Sequence, residues 1–365
     1  MTASSSGPCQ VRVTYWTGWL SPEMEGCSKE VFALQGHFPR SRVFGLSNAY
    51  TLRASRRQRF LGLGMSLYPL FRALAPMWDA TSDVNHIYGG LNEWFFLRAL
   101  GRRPIVMTLA TDTAPLAAEL YRHVRSFVTH APATTRQLIQ SGVESNRVRL
   151  IYPGLDLKRF HPAARDRAPL PAWPHLDPSR FRVLFATSPD RAGGLETRGV
   201  NLMMEAAGRL PDVDFLVPWR PWAEGRQLAD ECRRRAPSNV HISVELVPDM
   251  TRLFHAVDAT IAPFLQRASM KLCPTSLVES LACGRPVLVS THVGISDLVR
   301  DEHCGTVFEP TIESLCDAIA RIHGRYAALA SSALRVAERY FDQAQCFARH
   351  EQLYEEVLTH CAEAS

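Results

Sequence analysis

The stretch Lys271-Leu-Cys-Pro-Thr-Ser-Leu-Val-Glu279-Ser-Leu-Ala-Cys-Gly284-Arg-Pro286-Val-Leu-Val289 orders the reading of the whole chain. Pro274 and Thr275 suit a helix start, Gly284 a helix end and Pro286 the entry to an apolar run. The stretch therefore reads as loop, helix, tight turn and strand. Such a helix leaves the backbone N–H groups of Thr275, Ser276 and Leu277 at a positive end suited to a diphosphate. Glu279 lies one turn in, where its carboxylate can accept two hydroxyl hydrogen bonds, as ribose recognition requires. The plainer alternative is that a glutamate in the first turns of a helix only complements the dipole.

Outward from that stretch, short apolar runs alternate with helical periods in both directions, the pattern of a doubly wound α/β sheet. In the second half, strands are expected at 182–187, 214–217, 239–244, 259–263 and 286–290, with helices between them and at the C-terminus. In the first half, strands are expected at 11–16, 42–46, 83–88, 104–109, 126–129 and 147–152, and 60–74 reads as a helix. Pro169, Pro171, Pro174 and Pro178 crowd a polar stretch with no apolar period. These signals predict a first domain over 1–163, a linker over 164–180, a second domain over 181–340, and a C-terminal helix over 341–365 that packs back toward the first domain. Two such domains imply a cleft at the carboxyl ends of their strands.

The 365 residues are enough for two ordinary cores, and 46% apolar with 21% charged residues excludes a disordered chain. Nine scattered cysteines form no C-x-x-C pair, so neither a zinc site nor a disulfide framework is expected and a reducing cytoplasm is the expected home. The N-terminal residues lack the basic and apolar regions of a secretory leader, and every apolar run is too short to span a membrane. A formal charge of +5 is a mild excess that names no anionic partner, and no nucleic acid is expected. Its distribution is uneven: Val31 to Trp78 holds no Asp or Glu, while Arg40, Arg42, Arg53, Arg56, Arg57, Arg59 and Arg72 fall there. Residues 40–72 are either a solvated face or a docking surface for anionic lipid, with Phe60, Leu63, Leu67 and Phe71 dipping inward.

The stretch from Lys271 to Glu279 resembles the E-x7-E signature of the GT-B glycosyltransferases of family 4, with lysine in place of the first glutamate. Val148-Arg-Leu-Ile-Tyr-Pro-Gly154-Leu-Asp156, Gly294-Ile-Ser-Asp297 and Gly26-Cys-Ser-Lys-Glu30 are similar to further family segments, so the resemblance covers nearly the whole chain. It implies two Rossmann-like domains facing across a cleft, the first on the acceptor side and the second binding a nucleotide sugar. It also implies that Glu279 holds the ribose, that residue 271 lies beside sugar and phosphates, and that Gly26 belongs to the donor site. Arg198-Gly199 matches the family's Lys-Gly, and Arg191 is a looser match to its phosphate-binding Arg. Where the family often carries a histidine, this chain has Ala110, which leaves Asp112 as the nearest polar group. Lys271 pairs either with the diphosphate or with an acidic sugar.

The expected reaction is hexosyl transfer from a nucleoside diphosphate sugar to a hydroxyl acceptor in polysaccharide, glycolipid or metabolite synthesis, with retention implied by the resemblance. Arg198, Arg191 and Lys271 would stabilise the departing diphosphate, so no metal or other cofactor is expected. Arginine suits that task because it grips phosphate bidentately and keeps its charge. A lipid-linked acceptor would place the protein on the inner face of the membrane. Two other readings stay open: a catalytically silent sugar-nucleotide-binding homologue and a nucleotide-sugar epimerase.

Overall fold

The computed structural model describes residues 10–18, 20, 25–47, 52–57, 59–111, 122–221, 223–268 and 270–363. The chain divides into two compact units, Met1–Gly154 with Ala344–Ser365, and Leu155–Gln343. Asp112 lies outside the described residues.

The first unit is built on strands β1 Val13–Thr17, β2 Arg42–Ser47, β3 Leu52–Ser55, β4 Phe60–Gly64, β5 Val84–Gly89, β6 Ile105–Leu109, β7 Val124–Thr129 and β8 Val148–Leu150. They form one sheet in the order β3-β4-β2-β1-β5-β6-β7-β8, parallel except for the β3–β4 pair. Central strands β1, β5 and β6 are buried along their whole length, as a parallel sheet covered on both faces requires. Alternation sends Trp16, Phe44, Ile87, Met107 and Phe127 into one core, with Phe71 and Ala75 of helix Tyr68–Ala80. Tyr15, Val43, Val106 and Val128 enter the other, with Val31 and Leu34 of helix Gly26–His37 and Leu353 and Tyr354 of helix Gln343–Glu363.

One expectation fails here. Residues 60–74 do not form a single helix: Phe60–Gly64 is strand β4, with Phe44 opposite Leu61 and Leu46 opposite Leu63, and the helix begins at Tyr68. Gly62 and Gly64 disfavour a helix, whereas β2 offers an edge that a strand can pair with. Leu63 and Phe71 are therefore core residues and Phe60 packs against Phe32, so the side chains expected to dip into lipid face inward. Leu52 at 60% exposure, Met65 at 39%, Leu70 at 46% and Met77 at 63% are the large apolar side chains this region turns to solvent instead.

The second unit carries β9 Phe181–Leu184, β10 Val213–Pro218, β11 Val240–Ser243, β12 Ala259–Ala262, β13 Val287–Ser290 and β14 Gly305–Phe308, all parallel, in the order β11-β10-β9-β12-β13-β14. The direction of succession reverses between β9 and β12, which makes that the topological switch point. Residues 155–163, assigned by sequence to the first domain, and 164–180, assigned as linker, pack in this unit. The prolines mark irregular backbone, but Arg165 and Arg167 both donate to the fully buried carboxylate of Asp258, which also accepts from the Arg182 amide. These bonds tie residues 165 and 167 to the second unit. Asp214, one end of an Asp-x-Asp string, is likewise buried, against Arg180 and His241.

Candidate functional site

Three loops meet at the carboxyl edge of the second sheet, at the switch between β9 and β12. The loop after β9 ends in the short helix Gly193–Thr197, capped by Arg198, whose Nη1 donates to the Thr187 carbonyl at 3.3 Å. Gly199 follows with φ +72°, and a Cβ there would stand 1.9 Å from the carbonyl oxygen of Pro263, just beyond β12. Only glycine permits both the left-handed backbone and that contact. The Leu265 amide then donates to the Thr197 carbonyl, fastening the second loop to the first. Gly294, after β13, completes the set: a Cβ there would lie 2.5 Å from the Leu272 carbonyl oxygen, and Ser290 Oγ donates to the Phe264 carbonyl.

The loop after β12 delivers the chain into helix Thr275–Ala282, with Pro274 at its N-cap and no side chain capping it. The Leu277 amide is engaged by the Pro274 carbonyl at 3.0 Å, which corrects the expectation that it is available. Among the described residues, the amides of Thr275 and Ser276 have no backbone acceptor. Lys271 Nζ donates to Thr275 Oγ1 at 2.6 Å, so the ammonium is held against the helix end. Glu279 is four residues beyond Thr275 on the same helix face, and only 3% exposed. Gly284 closes the helix at φ +71°.

Arg198, Lys271, Thr275, Ser276 and Glu279 are thus gathered on contacting loops. Arg191 is not: its side chain is 82% exposed. Gly26 opens helix Gly26–His37 in the first unit, where Glu25 caps it by accepting from the Ser28 amide at 2.6 Å. Sequence reasoning missed Thr187, which is buried and whose hydroxyl has no hydrogen-bond partner among the described residues. It also missed Arg220, whose amide and guanidinium both bond Ser188 and lock the loop after β9. The position of Thr187 immediately after an apolar strand was the available signal.

Residues 191–324, which contain these loops apart from 185–190, match the family model described as glycosyl transferases group 1. A D-inositol 3-phosphate glycosyltransferase of Mycobacterium sp. (strain KMS) is 28% identical over 173 residues, 46% of this chain and 37% of that protein. Another, of Paenarthrobacter aurescens (strain TC1), is 24% identical over 199 residues, 50% of this chain and 44% of that protein. The match thus spans less than half the length of these curated relatives. Among solved structures, Anabaena Alr3699/HepE in complex with UDP and glucose superposes with a TM-score of 0.75 at 16% identity, covering 95% of this chain and all of that one. Sucrose-phosphate synthase from Thermosynechococcus elongatus gives 0.73 at 16% identity over 96% of this chain. The fold, two Rossmann-like parallel-sheet units, is that of the GT-B glycosyltransferase structures.

Proposed function

We propose that this protein is a glycosyltransferase that moves a hexosyl group from a nucleoside diphosphate sugar to a hydroxyl acceptor. The observation that carries the reading is the convergence of Arg198, Lys271, the open end of helix Thr275–Ala282 and Glu279 on three loops locked together at the switch point of the second sheet. The match to the family model over 191–324 supports it, as do relatives named for glycosyl transfer. In this reading Glu279 accepts the ribose hydroxyls and the amides of Thr275 and Ser276 face the diphosphate. Arg198, held through Thr187, meets the charge that grows as the diphosphate leaves the anomeric carbon. Side-chain cations and the helix end carry that charge. The acceptor is a polysaccharide, glycolipid or metabolite hydroxyl, transfer retains anomeric configuration, and Asp112 is the candidate contact on the acceptor side.

Thermal denaturation with UDP, GDP, ADP, TDP and CMP sugars tests the site, because a ligand bound to the native state raises the melting temperature. One base should give a shift that Glu279→Ala abolishes, and that donor should release its nucleoside diphosphate when a hydroxyl acceptor is supplied. A shift without turnover on any acceptor tried would favour a catalytically silent binding protein. No shift with any donor would sink the site.

A further inference from the structure

Helix Gln343–Glu363 carries into the first unit a ring whose hydrogen bonding is half complete. His350 is 3% exposed, and its Nδ1 lies 2.8 Å from the Cys346 carbonyl oxygen, one turn back on the same helix. A carbonyl oxygen only accepts, so Nδ1 holds the ring proton and Nε2 keeps a lone pair. Burial keeps the imidazole in that neutral form by lowering its pKa to about 4. Nε2 is buried too, and no group among the described residues bonds it. A buried acceptor is costly to leave unmade, so nearly all find a partner in protein or in ordered water.

The same ring forms part of the wall of a small cavity of about 10 Å³, room for about one water molecule. Leu34 and Phe347 give the cavity apolar walls, and Glu30, Tyr88, His130 and Tyr152 give it polar ones. The polar walls come from separate pieces of chain: helix Gly26–His37, β5, and the residues just after β7 and β8. An apolar void stays dry, whereas one with polar walls takes up water that makes two to four hydrogen bonds. We propose that this cavity is a site for one buried water molecule, which donates a hydrogen bond to His350 Nε2 and makes its others to the polar walls. Gly154 also lines the cavity, and Gly154 and Ala344 are the residues at which the chain leaves and re-enters the first unit. The water therefore ties the returning helix to the walls around the departing segment, a link that the bond from Nδ1 to its own helix does not make.

Two measurements on the full chain decide this: a crystal structure at a resolution that shows ordered water, and magnetic relaxation dispersion of water in solution, which counts internal waters that outlast molecular tumbling. The wild type should hold a water within hydrogen-bond distance of His350 Nε2, and the count should include it. His350→Leu removes the acceptor and leaves the room, and it should lose that one water. His350→Gln, whose amide oxygen can stand in for Nε2, should keep it. A wild-type cavity without water at Nε2 overturns the proposal, and that result needs no variant to fold. Retention of the same water in His350→Leu also overturns it, because the polar walls would then hold it without the histidine.

Discussion

Beneath the C-terminal helix of the first unit, buried polar side chains answer one another. His86 shares hydrogen bonds with Tyr354 and with Thr108, both at 2.6 Å, Tyr354 donates on to Tyr15, and Tyr88 donates to Glu30 at 2.6 Å. Burial, with His350 and His130 nearby, holds the His86 imidazole well below its usual range. Burial outweighs a bond to the Cys346 carbonyl and, with His37, lowers His350 to about 4. At the carboxyl edge of the second sheet the arrangement differs: Arg198, Lys271 and the buried Glu279 stand around a helix end that no side chain caps. Hydrogen bonds among His86, Tyr354, Thr108 and Tyr15 fasten the C-terminal helix to the first sheet. Polar groups gathered at an uncapped helix end, on loops that only glycine lets approach so closely, are placed as a binding site would be.

The largest test of that contrast concerns the backbone contact that brings the loops together. Gly199→Ala should destabilise the second unit by about 4 kcal/mol, from a left-handed backbone and a Cβ pressed on the Pro263 carbonyl, and should abolish nucleotide binding. Gly324→Ala, next to the kink at Arg325 and with nothing within 4 Å of the added Cβ, should change stability by no more than about 1 kcal/mol. Urea denaturation checks both, and equal effects would dissolve the claim that the site depends on close approach. The first unit is tested by pH. Its buried His86 and His350 have lowered pKa values, so the unfolded chain takes up protons first as pH falls. Their stabilisation is complete above about pH 6.5 and drains away toward pH 4, with His350 alone contributing about 3 kcal/mol across that window. Unfolding midpoints at pH 7 and 4.5 should separate by less in His350→Gln than in wild type; an unchanged separation would show that the buried imidazole stores nothing.

Arg198→Ala should lower turnover about 100-fold, as loss of a cation aimed at a departing charge does, and Arg198→Lys should recover part of it. Steady-state rates at saturating donor are the measurement, and a change in KM alone would reassign Arg198 to ground-state binding. Arg198 was legible in the sequence because a strand, a glycine-rich loop and an Arg-Gly pair fix its place. Glu279 was legible because the helix around it announces both its ends. What was hidden is contact between segments distant in the chain. Thr187 and Arg220 gain meaning only when the loops after β9 and β10 touch. Arg191 shares the loop of Arg198 yet points into solvent, because a five-residue helix intervenes and turns it away. β14 and β3 lie at sheet edges and are only partly buried, so neither carries the apolar run that marks the inner strands, and β4 was masked by glycines and a helical spacing of leucines that runs on into the true helix.

The smallest expected effect concerns the basic stretch of the first unit. Burial of Leu63 and Phe71 moves any contact with lipid to the side chains that remain outside. Leu70 and Met77 are seven residues apart, two turns along one face of helix Tyr68–Ala80, with Arg72 exposed on the same helix and Arg56 and Arg57 exposed beyond β3. Among the described residues no helix is long and apolar enough to cross a membrane, so contact of this kind would be interfacial. A lipid-linked acceptor is the form of the proposed reaction that this surface suits. Each exposed side chain inserted to half its area contributes on the order of 1 kcal/mol. The double variant Leu70→Asp and Met77→Asp should therefore reduce co-sedimentation with phosphatidylglycerol-containing vesicles about tenfold or more, with the melting temperature unchanged because neither side chain is in the core. Equal sedimentation of wild type and variant would leave the arginines as a solvated face, and the acceptor would then be sought among soluble hydroxyl compounds.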